Sequence, residues 1–334
     1  MPTAPSSSRL ARLRKRAGGL LSEHFFRGVS RLGRLDPLSN PNRHGIRVHR
    51  DVPYLGTGLK AHTLDIYQPI GPSPHPVVVY IHGGGFRILS KDTHWWAGLL
   101  FASRTRSVVF NLNYRLAPQH PFPAAPRDCA EALGWVLDNA HRFGGDIERL
   151  AIAGESAGAN LSLVMTLATC MERPEPWCRP LFERAAVPRA LFPACGFLQV
   201  SDGARFKRLN PTMSTFIHDR IESICNGYLP PDLQQHPNAQ TELADPLLIL
   251  ESDLPMARPL PPMYLNCGLR DPVLNDTQRL ESALQRRGIT HHVHYDPQGF
   301  HGSHAVLWLS SSKTIWREAF AFFEEHVNPT TPQR

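Results

Sequence analysis

The 334-residue sequence contains no run of 18 apolar residues and, although it has six cysteines, no C-x-x-C pair. The first absence argues against a membrane-spanning helix, the second against a zinc knuckle or a thioredoxin-like dithiol. Also missing are H-E-x-x-H, which places two zinc ligands on one helix face, and a Gly-rich loop running into Lys-Ser/Thr, which cradles phosphates. The basic N-terminus is not followed by a continuous apolar stretch and a small-residue cleavage site, so no secretory signal is expected. Cys129, Cys170, Cys178, Cys195, Cys225 and Cys267 read instead as reduced core residues of a cytoplasmic protein. Neither a cofactor nor a resident metal is expected.

The net charge of +7 raises the question of nucleic acid, but its distribution answers it. Residues 1–35 hold eight basic residues (Arg9, Arg12, Arg14, Lys15, Arg16, Arg27, Arg31, Arg34) against Glu23 alone, and the remaining 299 residues balance at 28 of each sign. A basic face on the folded body is therefore not demanded, and nucleic acid is not an expected partner. Within the same segment Leu10, Leu13, Leu20, Leu21, Phe25, Phe26, Val29 and Leu32 fall at roughly helical spacing, which predicts one or two amphipathic helices over residues 1–45. A cap helix with a solvated arginine face is the first reading, and peripheral docking on an anionic membrane surface is its competitor. A monomer and a homodimer both remain open.

From Gly45 to Pro69 two extended segments, Ile46–His49 and Leu64–Tyr67, flank the turn-prone Gly56-Thr57-Gly58 and predict antiparallel edge strands. Short apolar runs then alternate with helical stretches, the pattern of a mostly parallel sheet with crossover helices. The expected strands are Val77–Ile81, Val108–Asn111, Leu150–Ala153, Ala190–Phe192, Met263–Asn266 and His292–Tyr295; the expected helices cover 93–105, 124–142, 157–171, 275–287 and 312–326. Residues 196–260 are Pro-rich, polar and without a clear strand, and read as an insertion with a short helix near 214–228. The boundaries that follow are an N-terminal cap segment (1–45), a core (46–195 and 261–328) and a cap insertion (196–260).

Gly154-Glu155-Ser156-Ala157-Gly158 matches G-x-S-x-G, a pattern expected by chance about 0.1 times in such a chain. It follows the apolar run Leu150–Ala153 and opens the small-residue stretch Ala157–Leu163, the strand–turn–helix setting of a nucleophile elbow. Glycines on either side let a strained serine turn approach its neighbours. Upstream, His82-Gly83-Gly84-Gly85-Phe86 leaves a strand directly. The N–H groups of Gly83 and Gly84, with that of Ala157, are candidates for an oxyanion hole in acyl transfer.

This HGGGF, together with Tyr114-Arg115-Leu116-Ala117-Pro118, His120-Pro121-Phe122-Pro123-Ala124-Ala125, Asp128 and GESAG, resembles the hormone-sensitive lipase-like (bacterial esterase family IV) branch of the α/β-hydrolases, over roughly residues 45–328. The resemblance implies an α/β-hydrolase fold and a carboxylesterase acting on small-molecule esters of short to medium acyl chain. It also implies a triad acid in Asp271-Pro272-Val273-Leu274-Asn275-Asp276, whose first aspartate, Asp271, takes that role, and a catalytic histidine at His301. The order Ser156, Asp271, His301 is that of the fold. Asp276 is the competitor, read as a helix-capping or loop residue. Because Phe300 precedes His301 and Ser303 stands where the family usually has phenylalanine, His304 is the alternative base. His292 and His294 alternate along a strand and are read as facing solvent or packing partners. Phe25, Phe26, Phe86, Phe197 and Phe216 are candidates to line the pocket. The same machinery would serve an amidase, an N-formyl hydrolase or a lactonase, and the fold also hosts receptors without a working triad.

Overall fold

The computed structural model describes residues 18–328 apart from 20, 22, 25 and 236–240. Eight strands form one sheet: β1 (Ile46–Pro53), β2 (Thr63–Pro69), β3 (His75–Ile81), β4 (Val108–Leu112), β5 (Gly145–Glu155), β6 (Ala190–Ala194), β7 (Met263–Gly268) and β8 (His291–Asp296). Their spatial order is β1-β2-β4-β3-β5-β6-β7-β8. The β1–β2 and β2–β4 pairs are antiparallel and all others parallel. Only β1 is an edge strand at this end. The expectation that β2 would also be one fails because its second side pairs with β4, Leu64 opposite Leu112 and Tyr67 opposite Val109.

The central strands are apolar without alternation because both faces are covered. Val77, Val79, Ile81, Phe110 and Ile152 point into one core with helices α2 (Ala124–Asn139) and α3 (Ala157–Cys170). Val78, Tyr80, Val109, Ala151 and Phe192 point into the other with α1 (Trp95–Thr105) and α6 (Ser310–His326). Side chains of successive strand residues point to opposite faces, so a continuous apolar run fills both layers. The helix expected over 124–142 ends as α at Asn139 and continues as a 3-10 turn to Phe143, stopped by Gly144 at φ 76°.

Between β6 and β7, the described part of residues 196–260 contains helices but no strand, the longest being α4 (Thr215–Tyr228), capped by the Ser214 hydroxyl. After β7 comes α5 (Leu274–Arg286). Of the N-terminal segment, residues 1–17, Leu20, Ser22 and Phe25 lie outside the described set; the described residues between 18 and 33 are helical. Among the described residues no helix is long and apolar enough to cross a membrane. All six cysteines are free and buried.

Candidate active site

Parallel strands end on the same side of a sheet, so the loops after β3, β5, β7 and β8 meet there. At the end of β5 the chain turns into α3 through Ser156, held at φ 54°, ψ −116°. Glycine is required on both sides for space. A Cβ on Gly158 would lie 2.0 Å from the Ile81 carbonyl oxygen, and one on Gly154 would lie 2.4 Å from the Gly158 oxygen. Hydrogen bonds from Ser156 N to Ala194 O (2.9 Å) and from Phe197 N to Ser156 O (3.2 Å) hold the turn.

Asp271 follows β7 and His301 follows β8. Their loops are pressed together where a Cβ on Gly268 would fall 2.2 Å from Gly299 backbone atoms, and Arg270 N donates to Gly299 O at 3.0 Å. Across this contact His301 Nδ1 lies 2.9 Å and 3.1 Å from the two carboxylate oxygens of Asp271, and His301 Nε2 lies 2.9 Å from Ser156 Oγ. A carboxylate only accepts, so Nδ1 carries the proton and Nε2 is left to accept from the serine hydroxyl. Burial disfavours the imidazolium, but the Asp271 carboxylate, with a further contribution from Glu155, outweighs it and holds His301 above the ordinary histidine value. Asp271 is fixed by Val273 N donating to Oδ1 at 2.8 Å and by the Cys267 thiol at 3.5 Å from Oδ2.

The glycine loop after β3 borders the same space. Gly84 sits at φ 113° with no room for a side chain, since a Cβ there would lie 2.1 Å from the Ile88 oxygen, and a Cβ on Gly83 would meet Glu155 O at 2.9 Å. Among the described residues, the N–H groups of Gly83, Gly84 and Ala157 are not drawn into the hydrogen bonds of the surrounding turns. The loop is steadied by Tyr114, whose hydroxyl donates to His82 O at 2.9 Å and whose ring stacks on His82 at 4.3 Å. Burial drives His82 down to about 3, so its ring is neutral. Arg115 grips Asp128 through Nε and Nη2, 2.7–3.1 Å, closing the base of the next loop.

Two competitors fall elsewhere. Asp276 is neither a cap nor a loop residue. It lies in the first turn of α5, fully buried, accepting from Leu198 N (2.8 Å), Gln199 N (3.2 Å) and Arg205 Nη2 (2.6 Å). His304 is engaged by Glu155 instead, with Nε2 3.0 Å from Glu155 Oε2. His94 Nε2 meets the other oxygen of Glu155 at 2.7 Å. Although burial disfavours its charged form, these two histidines hold the Glu155 carboxyl well below the usual range. Sequence pattern gives Glu155 no distinction beyond the variable position of G-x-S-x-G, and His94 none at all. His294 and His292 both reach Glu318, at 2.8 Å and 3.4 Å.

Of the five candidate pocket phenylalanines, Phe25 lies outside the described residues and Phe86 and Phe197 are buried in packing. Phe86 stacks on Tyr228 of α4 at 3.7 Å, and Phe197 on Phe206 at 5.7 Å. Phe26 and Phe216 are about half exposed. Helix α4 also touches the glycine loop directly, since a Cβ on Gly85 would meet Ile224 at 2.6 Å and Arg87 Nη1 donates to Ser223 O at 2.6 Å.

The chain belongs to the alpha/beta hydrolase fold family, matching it over residues 78–305. In sequence it is similar to a carboxylesterase of Mycobacterium tuberculosis, NlhH, at 31% identity over 238 residues, 71% of this chain and 69% of that one. It is also similar to a carboxylic ester hydrolase of the same organism, LipN, at 36% identity over 45% of this chain and 41% of that one. In structure it resembles the esterase LipW of Mycobacterium marinum, with a TM-score of 0.72, 25% identity and coverage of 93% of this chain and 90% of that chain. An esterase of Pyrobaculum calidifontis shares the fold at TM-score 0.71 and 23% identity, over 97% and 99% of the two chains.

Proposed function

We propose that the protein is a serine carboxylesterase that hydrolyses small-molecule esters of short to medium acyl chain through an acyl-enzyme. The observation that supports this most is the single imidazole, His301, standing within 2.9 Å of both Ser156 Oγ and the Asp271 carboxylate. Ser156 Oγ attacks the ester carbonyl carbon as His301 Nε2 takes its proton; Asp271 holds the tautomer and stabilises the imidazolium. The N–H groups of Gly83, Gly84 and Ala157 receive the oxyanion, each such donor being worth on the order of 3 kcal/mol in comparable enzymes. His301 then protonates the leaving alcohol. Water, activated by the same nitrogen, releases the acid and restores Ser156.

Residues 1–45 and 196–260 form the cap in this reading, which is supported by the seating of α4 on the glycine loop and by Gly18 lying against Phe216 and Arg220. The test is Ser156→Ala. It removes hydrolysis of p-nitrophenyl acetate and butyrate while the circular dichroism spectrum is kept; full activity in that variant refutes the assignment. Running acetate through longer esters, with one amide and one formamide beside them, separates an esterase from an amidase on the same triad.

A further inference from the structure

One buried thiol at the site has no part in the reaction above. Cys195 follows β6, with its N–H donating to Asn266 O at 2.8 Å, and is 2% exposed. Its Sγ, a carboxylate oxygen of Asp271 and a ring nitrogen of His301 all lie within 4.8 Å of one another. We propose that Cys195, Asp271 and His301 form an inhibitory binding site for a soft divalent cation of the zinc class.

The donor set is the first reason. Thiolate sulfur, imidazole nitrogen and carboxylate oxygen together are what zinc takes, at about 2.0–2.3 Å, and leave a fourth tetrahedral position for water. Tetrahedral ligands at such lengths stand about 3.3–3.8 Å apart, so side-chain shifts of about 1 Å suffice. His301 Nδ1 is already 2.9 Å from Asp271 Oδ2. Charge is the second reason. Binding breaks the Cys195 S–H bond, releases that proton to solvent and forms the sulfur–metal bond. The dication then faces one thiolate and one carboxylate, a neutral assembly that a buried site tolerates. Without a metal, burial keeps the Cys195 thiol well above its ordinary value and therefore protonated.

Inhibition follows from the imidazole. A metal binds Nδ1 only as the Nδ1–H bond breaks; that proton is exchanged through solvent to Nε2, the ring stays neutral, and Nε2, now an N–H, can no longer accept from Ser156. This consequence rests on His301 being the base; the metal binding itself does not. The other trio of this kind among the described residues, His218, Asp219 and Glu222 on α4, has no soft ligand, and Asp219 and Glu222 already have partners.

The full-length protein is titrated with zinc chloride during p-nitrophenyl butyrate hydrolysis and, separately, with cobalt(II) in the absence of substrate. The wild type is expected to lose activity reversibly, recovered by a chelator, and to show thiolate-to-cobalt charge-transfer absorption. Cys195→Ser, which keeps the volume, is expected to lose that absorption. It should also need about 100-fold more zinc for half-inhibition, since even outer partners of a metal ligand are worth 10–100-fold in affinity. Cys129→Ser, at a buried thiol on α2 that belongs neither to this trio nor to its hydrogen-bond partners, should keep both properties. Absence of the cobalt absorption in the wild type, its survival in Cys195→Ser, or equal zinc sensitivity of those two proteins overturns the proposal. The cobalt arm reads binding without catalysis, so a failed esterase assignment leaves it standing.

Discussion

Asp271 and Asp276 are five residues apart, both buried and both facing a cationic or cation-forming partner, yet they serve opposite ends. Asp271 faces His301, an imidazole that can take up and release a proton and whose charged form the carboxylate favours. Asp276 faces Arg205, a group that stays charged, and also accepts two backbone N–H groups from Leu198 and Gln199. In the proposed mechanism the first arrangement stores a proton that can move; the second fixes the start of the 196–260 insertion to the core. Nearby, Asp245 extends the anchor by accepting from Ser201 N at 3.0 Å and from Val200 N. A buried carboxylate is thus an actor or a fastener according to whether its partner titrates.

The sharpest way to break that contrast is to neutralise each aspartate. Asp271→Asn should lower kcat toward p-nitrophenyl butyrate by about 10⁴, as losing the orienting acid does in comparable triads, with little change in melting temperature. In the same variant any residual acid limb of the pH–rate profile should move down. The wild-type limb is expected above the ordinary histidine value of 6.5, because Asp271 favours protonated His301 and activity is lost as pH falls through that raised value. A limb unmoved by the substitution would mean that another group titrates.

Asp276→Ala should do the reverse. It strands the Arg205 guanidinium and two buried N–H groups, which costs roughly 3–5 kcal/mol in denaturant unfolding. Activity per folded molecule should change much less. If kcat falls in step with stability, the anchor and the site are not separable.

Glu155 stands between these cases, touching the glycine loop through Gly83, the base loop through His304 and α1 through His94, the residue just before it. Glu155→Gln should reduce kcat about 10–100-fold, the range for partners that orient a functional group, with KM nearly unchanged. It should also flatten acid unfolding. The depressed carboxyl contributes stability above its ordinary value of 4.5, and that contribution is lost as pH falls below it. Stability–pH curves with the same slope below that pH in both proteins would count against the ion pairs with His94 and His304.

Strand and helix placement was legible along the chain, because short continuous apolar runs and helical spacing are local properties. All eight strands contain their expected cores, from Ile46–His49 to His292–Tyr295. Ser156 was legible because its glycines form a five-residue pattern, although part of the steric demand they answer, the Ile81 oxygen against Gly158, comes from a neighbouring strand. The choice of Asp271 over Asp276, and of His301 over His304, came from the family resemblance and not from spacing or periodicity. Each pair satisfies the same chain order; in the fold Asp271 meets His301 and His301 meets Ser156, while Asp276 goes to Arg205 and His304 to Glu155.

By itself, then, the sequence determined the layers, the elbow at Ser156, the glycine loop and the order in which nucleophile, acid and base occur. The tertiary structure alone decided which side chains converge. Adjacent parallel strands bring the ends of β5, β6, β7 and β8 side by side, and that alignment joins Cys195, Asp271 and His301 across 106 positions of chain between the first and the last. Local backbone chemistry is written within a few residues. Convergence depends on register between strands far apart in sequence, which no short pattern encodes.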